Sequence, residues 1–210
     1  MNLPNILTLL RLVSAPVFLA VFFADIFPKD KEWLRLLICL ILVIASEVTD
    51  GLDGYLARKF KQVSDFGKLM DPYADSAFRL TAFFCFAGSS HKWVALWIVV
   101  ILLYRDILTS VIRVFAMKRQ VVVAARVSGK LKAIAQAAAI ISILTIALAQ
   151  ELGPNIPGIF SWIGVKGGTP ETVLNSSRII MWAVLLISIW SGIDYAWACR
   201  KHFIAATKSS

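Results

Sequence analysis

Four aspartates, Asp50, Asp53, Asp71 and Asp75, fall within the stretch "DGLDGYLARKFKQVSDFGKLMDPYAD" of a chain that is otherwise apolar and basic. Helix positions three or four apart share a face. Asp50 with Asp53, and Asp71 with Asp75, therefore form two pairs of carboxylates. On consecutive antiparallel helices the two pairs converge on one point. An ionised carboxylate at mid-bilayer costs about 2.5–3.5 kcal/mol, so four unpaired ones would cost on the order of 10 kcal/mol before their repulsion is added. A divalent cation removes both penalties, and the hard ions Mg²⁺ and Mn²⁺ prefer such oxygen donors. No His or Cys interrupts the stretch, which argues against zinc.

A competing arrangement pairs the acids with Arg58, Lys59, Lys61 and Lys68 in a solvated loop. It suits Asp65, whose neighbours are polar, and suits the four helically spaced acids poorly. "DGLDG" lacks the further ligands of an EF-hand loop, and no GxxxxGK[ST] segment is present. Gly54 and Ala57 follow Asp50 by one and two turns. They leave that face bare for a planar base or a diphosphate, or equally for close helix packing. Arg58 adds a fixed fork suited to phosphate oxygens.

The elements that would position these residues are apolar runs. Of the 210 residues, 59% are hydrophobic and the mean hydropathy is +0.75, above the roughly half apolar content of soluble domains. Six runs, roughly 5–24, 33–57, 68–88, 93–117, 129–150 and 174–198, approach the span of about 20 residues that a bilayer requires. The expected fold is all-α: a polytopic membrane protein with six transmembrane helices in one bundle and one domain over 1–210. The first run, with Arg11 inside it and no small-residue cleavage site, reads as a retained helix rather than a signal peptide. The isolated Cys39, Cys85 and Cys199 read as packing residues.

Basic residues sort by connection. Arg58, Lys59 and Lys61 lie in the second, Lys118, Arg119, Arg126 and Lys130 in or beside the fourth, and Arg200, Lys201 and Lys208 in the tail. The even-numbered connections and both termini are therefore expected on the cytoplasmic side, with the acidic motif at that end of the second and third spans. The net charge of +9 points to anionic lipid head groups or a phosphorylated substrate. No nucleic-acid-binding pattern accompanies it. Arg105, Arg113, Arg126, Lys130 and Lys132 could together form a cationic pocket for a phosphate. Alternatively, Arg126 and Lys130 are ordinary positive-inside residues and Arg105 pairs with an acid in the bundle.

The acidic string resembles the signature of the CDP-alcohol phosphotransferases, D-x2-D-G-x2-A-R-x8-G-x3-D-x3-D. Asp50, Asp53, Gly54, Ala57, Arg58, Gly67, Asp71 and Asp75 meet every spacing. Further segments resemble the branch of that family acting on glycerol 3-phosphate. These are Pro4, Asn5, Leu7, Thr8 and Arg11; Arg105, Asp106 and Arg113; Gly129, Lys130, Lys132 and Gln136; and Ser191, Asp194 and Tyr195. Ser76 departs from the lysine usual after the fourth aspartate, Met70 and Tyr73 are also less usual, and Glu47 adds an acid one turn before Asp50.

The resemblance implies a CDP-diacylglycerol donor, two Mg²⁺ or Mn²⁺ ions and an alcohol nucleophile, with CMP as leaving group. It places the metals on Asp50, Asp53, Asp71 and Asp75, with Asp75 also the general base for the acceptor hydroxyl. Asn5, Gly54, Ala57, Arg58 and Gly67 would bind the CDP-lipid. Arg105, Arg113, Arg126, Lys130 and Lys132 would bind the acceptor phosphate. It further implies glycerol 3-phosphate as acceptor, a homodimer and a bacterial inner-membrane location. Serine, an inositol phosphate or diacylglycerol are alternative acceptors within the family. Outside it, an intramembrane prenyltransferase or a cation transporter would also use buried acids.

Overall fold

The apolar runs form six helices in the computed structural model: α1 (Leu3–Phe22), α2 (Glu32–Phe60), α3 (Asp65–Gly88), α4 (Leu96–Lys118), α5 (Val127–Leu152) and α6 (Pro170–Thr207). The structure describes 3–25, 27–28, 31–60, 65–118, 127–152 and 170–207, with side chains described for 10–25, 27–28, 31–51, 73–115, 127–152 and 171–200. All regular structure among the described residues is helical, as expected. The starts follow local chemistry. Pro170 occupies the first position of α6, where a missing N–H costs nothing, and Glu171 in α6 and Glu32 in α2 place a negative charge in the first turn.

The helices pack as a closed ring. α1 touches α2, α2 touches α5, α5 touches α6, α6 touches α4, α4 touches α3, and α3 returns to α1, while α3 and α5 also meet across the middle. Aromatic rings fill one end of the α1–α3 seam. Phe18 stacks near Phe22 and meets Phe78 edge-on, and Phe22 and Phe86 pack on Trp93. Ile140, Ile143 and Leu144 of α5 and Met181 of α6 continue the core, all fully buried.

Among the described residues two helices, Val127–Leu152 and Glu171–Arg200, are long and apolar enough to cross a membrane. The outward face of α6 is itself apolar: Ile179, Trp182, Leu186, Trp190, Ile193 and Trp197 are all exposed. Their spacing of three and four residues draws one stripe along the helix, about 27 Å long at 1.5 Å per residue. A stripe of that size is uncommon on a surface that meets water.

Candidate active site

α2 and α3 meet α1 where the acids lie. Arg11, 4% exposed, projects from α1 between Asp50 of α2 and Asp75 of α3. Its Nη1 lies 3.2 Å from Asp50 Oδ1 and donates a 2.5 Å hydrogen bond to Asp75 Oδ1. Two carboxylates from consecutive helices thus aim at one point, and a positive charge stands there. The convergence expected from helical spacing is present for this pair. Asp53 and Asp71 lie on the same helices, but their side chains fall outside the described residues, as do those of Asn5, Gly54, Ala57, Arg58 and Gly67. Arg126 lies wholly outside them.

One turn deeper, α2 and α3 are joined again. Arg79 is 6% exposed and donates from Nε and Nη2 to the two carboxylate oxygens of Glu47, each at 3.0 Å. Glu47 precedes Asp50 by three residues and Arg79 follows Asp75 by four. The planar fork therefore fixes the two helices beside the acids they carry. Sequence reasoning noticed Glu47 as an extra acid and passed over Arg79. An arginine four residues beyond Asp75, on the same face, was the available signal.

A second charged cluster ties α4, α5 and α6 together around Asp106, 6% exposed. Lys132 Nζ donates to both carboxylate oxygens at 2.8 and 2.7 Å, and Arg105 Nη1 lies 3.0 Å from Oδ1. Arg105 also donates from Nη2 to Ser191 Oγ at 2.7 Å and from Nε to the Ser188 carbonyl at 3.2 Å. Gly192 makes room for it, because a Cβ there would meet Arg105 Cγ at 3.2 Å. Nearby, Ser128 of α5 donates to Asp194 of α6 at 2.6 Å. Gln136, one turn beyond Lys132, is 1% exposed, with neither end of its amide partnered among the described residues.

Of the five cations expected to hold an acceptor phosphate, Arg105 and Lys132 are thus already engaged with Asp106. Arg113 is half-buried two turns further along α4, and Lys130 is exposed in the first turn of α5. An apolar groove of about 490 Å³ runs between α3 and α4. Ser76, beside Asp75, and Asp106 both line it, above Leu103, Ile107 and Val111.

The donor set bears on the metal question. Hard divalent cations take carboxylate oxygens, and Asp50 and Asp75 present oxygens to a common point that already hosts a cation, the Arg11 guanidinium. These residues fit such an ion. Among the described residues no three potential ligands gather.

The family model for CDP-alcohol phosphatidyltransferase matches residues 1–190, and the chain belongs to that family. Its relatives include proteins named CDP-diacylglycerol–glycerol-3-phosphate 3-phosphatidyltransferase. The one from Rickettsia bellii is 31% identical over 202 residues, 96% of this chain and 97% of the relative. The one from Bacillus subtilis is 32% identical over 162 residues, 72% of this chain and 80% of the relative. The one from Cereibacter sphaeroides is 40% identical over 116 residues, 54% of this chain and 50% of the relative.

Proposed function

We propose that this protein transfers the phosphatidyl group of CDP-diacylglycerol to the free hydroxyl of sn-glycerol 3-phosphate, releasing CMP and forming phosphatidylglycerophosphate. The observation that carries the reading is the end-to-end similarity to relatives bearing that name, on a chain whose Asp50 and Asp75 face one another.

In this reading the acceptor oxygen forms a bond to the phosphorus that carries diacylglycerol. The bond from that phosphorus to the oxygen of CMP breaks. Asp75 takes the hydroxyl proton as general base, so its hydrogen bond to Arg11 must loosen when the acceptor arrives. Asp50, Asp53, Asp71 and Asp75 would hold one or two divalent ions. Such ions supply positive charge to the phosphoryl oxygens and the departing CMP. Asn5, Gly54, Ala57, Arg58 and Gly67 would seat the nucleotide. Arg113, Arg126 and Lys130 would meet the acceptor phosphate, with Arg105 and Lys132 contributing the net positive charge left after Asp106. The groove beside Ser76 is apolar enough to take diacylglycerol.

We further read residues 1–210 as one domain of six membrane spans in a bacterial inner membrane, working as a homodimer. The two long apolar helices and the outward stripe of α6 support the bilayer. The distribution of basic residues supports cytoplasmic termini and a cytoplasmic active site.

The test is CMP release by purified protein in detergent with CDP-diacylglycerol and a panel of acceptors, with Mg²⁺ or with chelator. The expected result is release with glycerol 3-phosphate that chelation abolishes. Release with serine or an inositol phosphate instead would reassign the acceptor, and turnover indifferent to chelator would remove the metal.

A further inference from the structure

We propose that the end of the bundle remote from the carboxylates carries a separate site for the head group of an anionic phospholipid. The site is a cavity of about 560 Å³ between the start of α4 and the early turns of α6. It lies well away from the acids, since the 13 residues from Asp75 to Gly88 at the end of α3 rise about 20 Å.

Its lining sorts by chemistry. Lys92 and Arg178 supply two positive charges, both exposed and without a side-chain partner among the described residues. None of the residues that line it is acidic. Of the acids of that end, Asp25, Glu32 and Glu151 line a neighbouring cavity of about 230 Å³ together with Arg35 and His91, Glu171 stands in the first turn of α6, two turns before Arg178, and Trp93 borders both cavities. Among the described lining residues no acid answers the two cations, so the cavity suits an anion from outside the chain.

The rest of the wall is aromatic. Trp97 of α4 and Trp182 of α6 meet edge to face, with centroids 5.5 Å apart, and are 47% and 52% exposed. Indoles of this kind sit where apolar chains give way to head groups. No Ser, Thr, Asp or Asn stands at 92–95, so no side chain caps α4, and its first amides add to the positive field.

Two cations beside two half-exposed indoles match an amphiphile, whose phosphate meets Lys92 and Arg178 while its chains run along the apolar outer faces of α4 and α6. A free phosphate would use the cations and ignore the tryptophans. The inference rests on the reading of the bundle as membrane-spanning. It does not depend on the chemistry at Asp75.

The test uses the full-length protein in detergent, titrated with brominated phosphatidylglycerol or brominated phosphatidylcholine while tryptophan fluorescence is read. The anionic lipid is expected to quench at lower concentration, and the difference to vanish in Trp97→Phe/Trp182→Phe. Lys92→Gln and Arg178→Gln should each raise the half-quenching concentration roughly fivefold, whereas Lys92→Arg and Arg178→Lys should preserve it. Equal quenching by the two lipids, indifference to both glutamine variants, or full displacement by inorganic phosphate would overturn the site. CMP release by each variant serves as the folding check and should match the unaltered protein. Equal quenching by the two lipids in unaltered protein that still releases CMP sinks this site alone. Absent CMP release in the unaltered protein sinks the proposed activity and leaves the lipid titration standing.

Discussion

Arg79 of α3 holds both carboxylate oxygens of Glu47 of α2 at 3.0 Å, one helical turn below the facing Asp50 and Asp75. Because the Arg79 side chain is 7% exposed and that of Glu47 24%, removing one partner strands a largely dehydrated charge. Arg79→Met and Glu47→Leu should each destabilise the protein by about 3 kcal/mol, and the combined Glu47→Leu/Arg79→Met variant should recover much of that loss. Unfolding in mixed micelles, arranged as a double-mutant cycle, measures the coupling. Simple addition of the two single effects would show that the pair is not coupled.

Asp75→Asn and Asp50→Asn leave side-chain volume intact and remove the negative charge that faces Arg11. Turnover should fall by about 10²–10⁴-fold in Asp75→Asn if it acts as the base, with CDP-nucleotide binding largely kept. CMP release and binding of a non-reacting CDP analogue, measured together, separate the two effects. Near-normal turnover in Asp75→Asn would move the base elsewhere.

Asp106 balances Arg105 and Lys132 at once, so charge removal there is not symmetric. Asp106→Asn leaves two buried cations facing a neutral amide and should cost about 3–5 kcal/mol. Lys132→Met leaves a neutral Arg105–Asp106 pair and should cost clearly less. Melting temperatures of the two variants in the same detergent rank them. The reverse order would mean that Lys132, not Asp106, organises the cluster.

Gly192→Ala brings a methyl group to 3.2 Å from Arg105 Cγ. The side chain must shift away from Ser191 and Ser188, at a cost of about 1–3 kcal/mol. If Arg105 shapes the acceptor site, KM for glycerol 3-phosphate should rise severalfold while KM for CDP-diacylglycerol stays put. Steady-state kinetics against each substrate reads the difference, and equal changes in both would indicate general loosening.

Much of this arrangement was legible in the chain. Hydropathy located all six helices, because long apolar runs leave little choice of secondary structure. It missed the length of α6, which runs on through polar residues to Thr207. Spacing also brought Asp50 and Asp75 together. The partners were not legible. Arg11 stood in an N-terminal segment with no role assigned, and Arg79 looked like one more basic residue in an apolar run. An ion pair between helices is set by rotation and depth, which a linear pattern does not encode. For Arg105 the alternative of pairing with an acid in the bundle is the one seen, with Asp106, whereas Lys132 read as available to a substrate until Asp106 is seen beside it.

Arg11 belongs to α1, and its partners Asp50 and Asp75 belong to the next two helices. Carboxylates entering lipid without a counter-charge resist insertion, so under the proposed six-span reading α1 would supply the charge that α2 and α3 need on entry. α1, α2 and α3 would then integrate as a unit, and a variant lacking only α1 should be degraded rather than merely inactive.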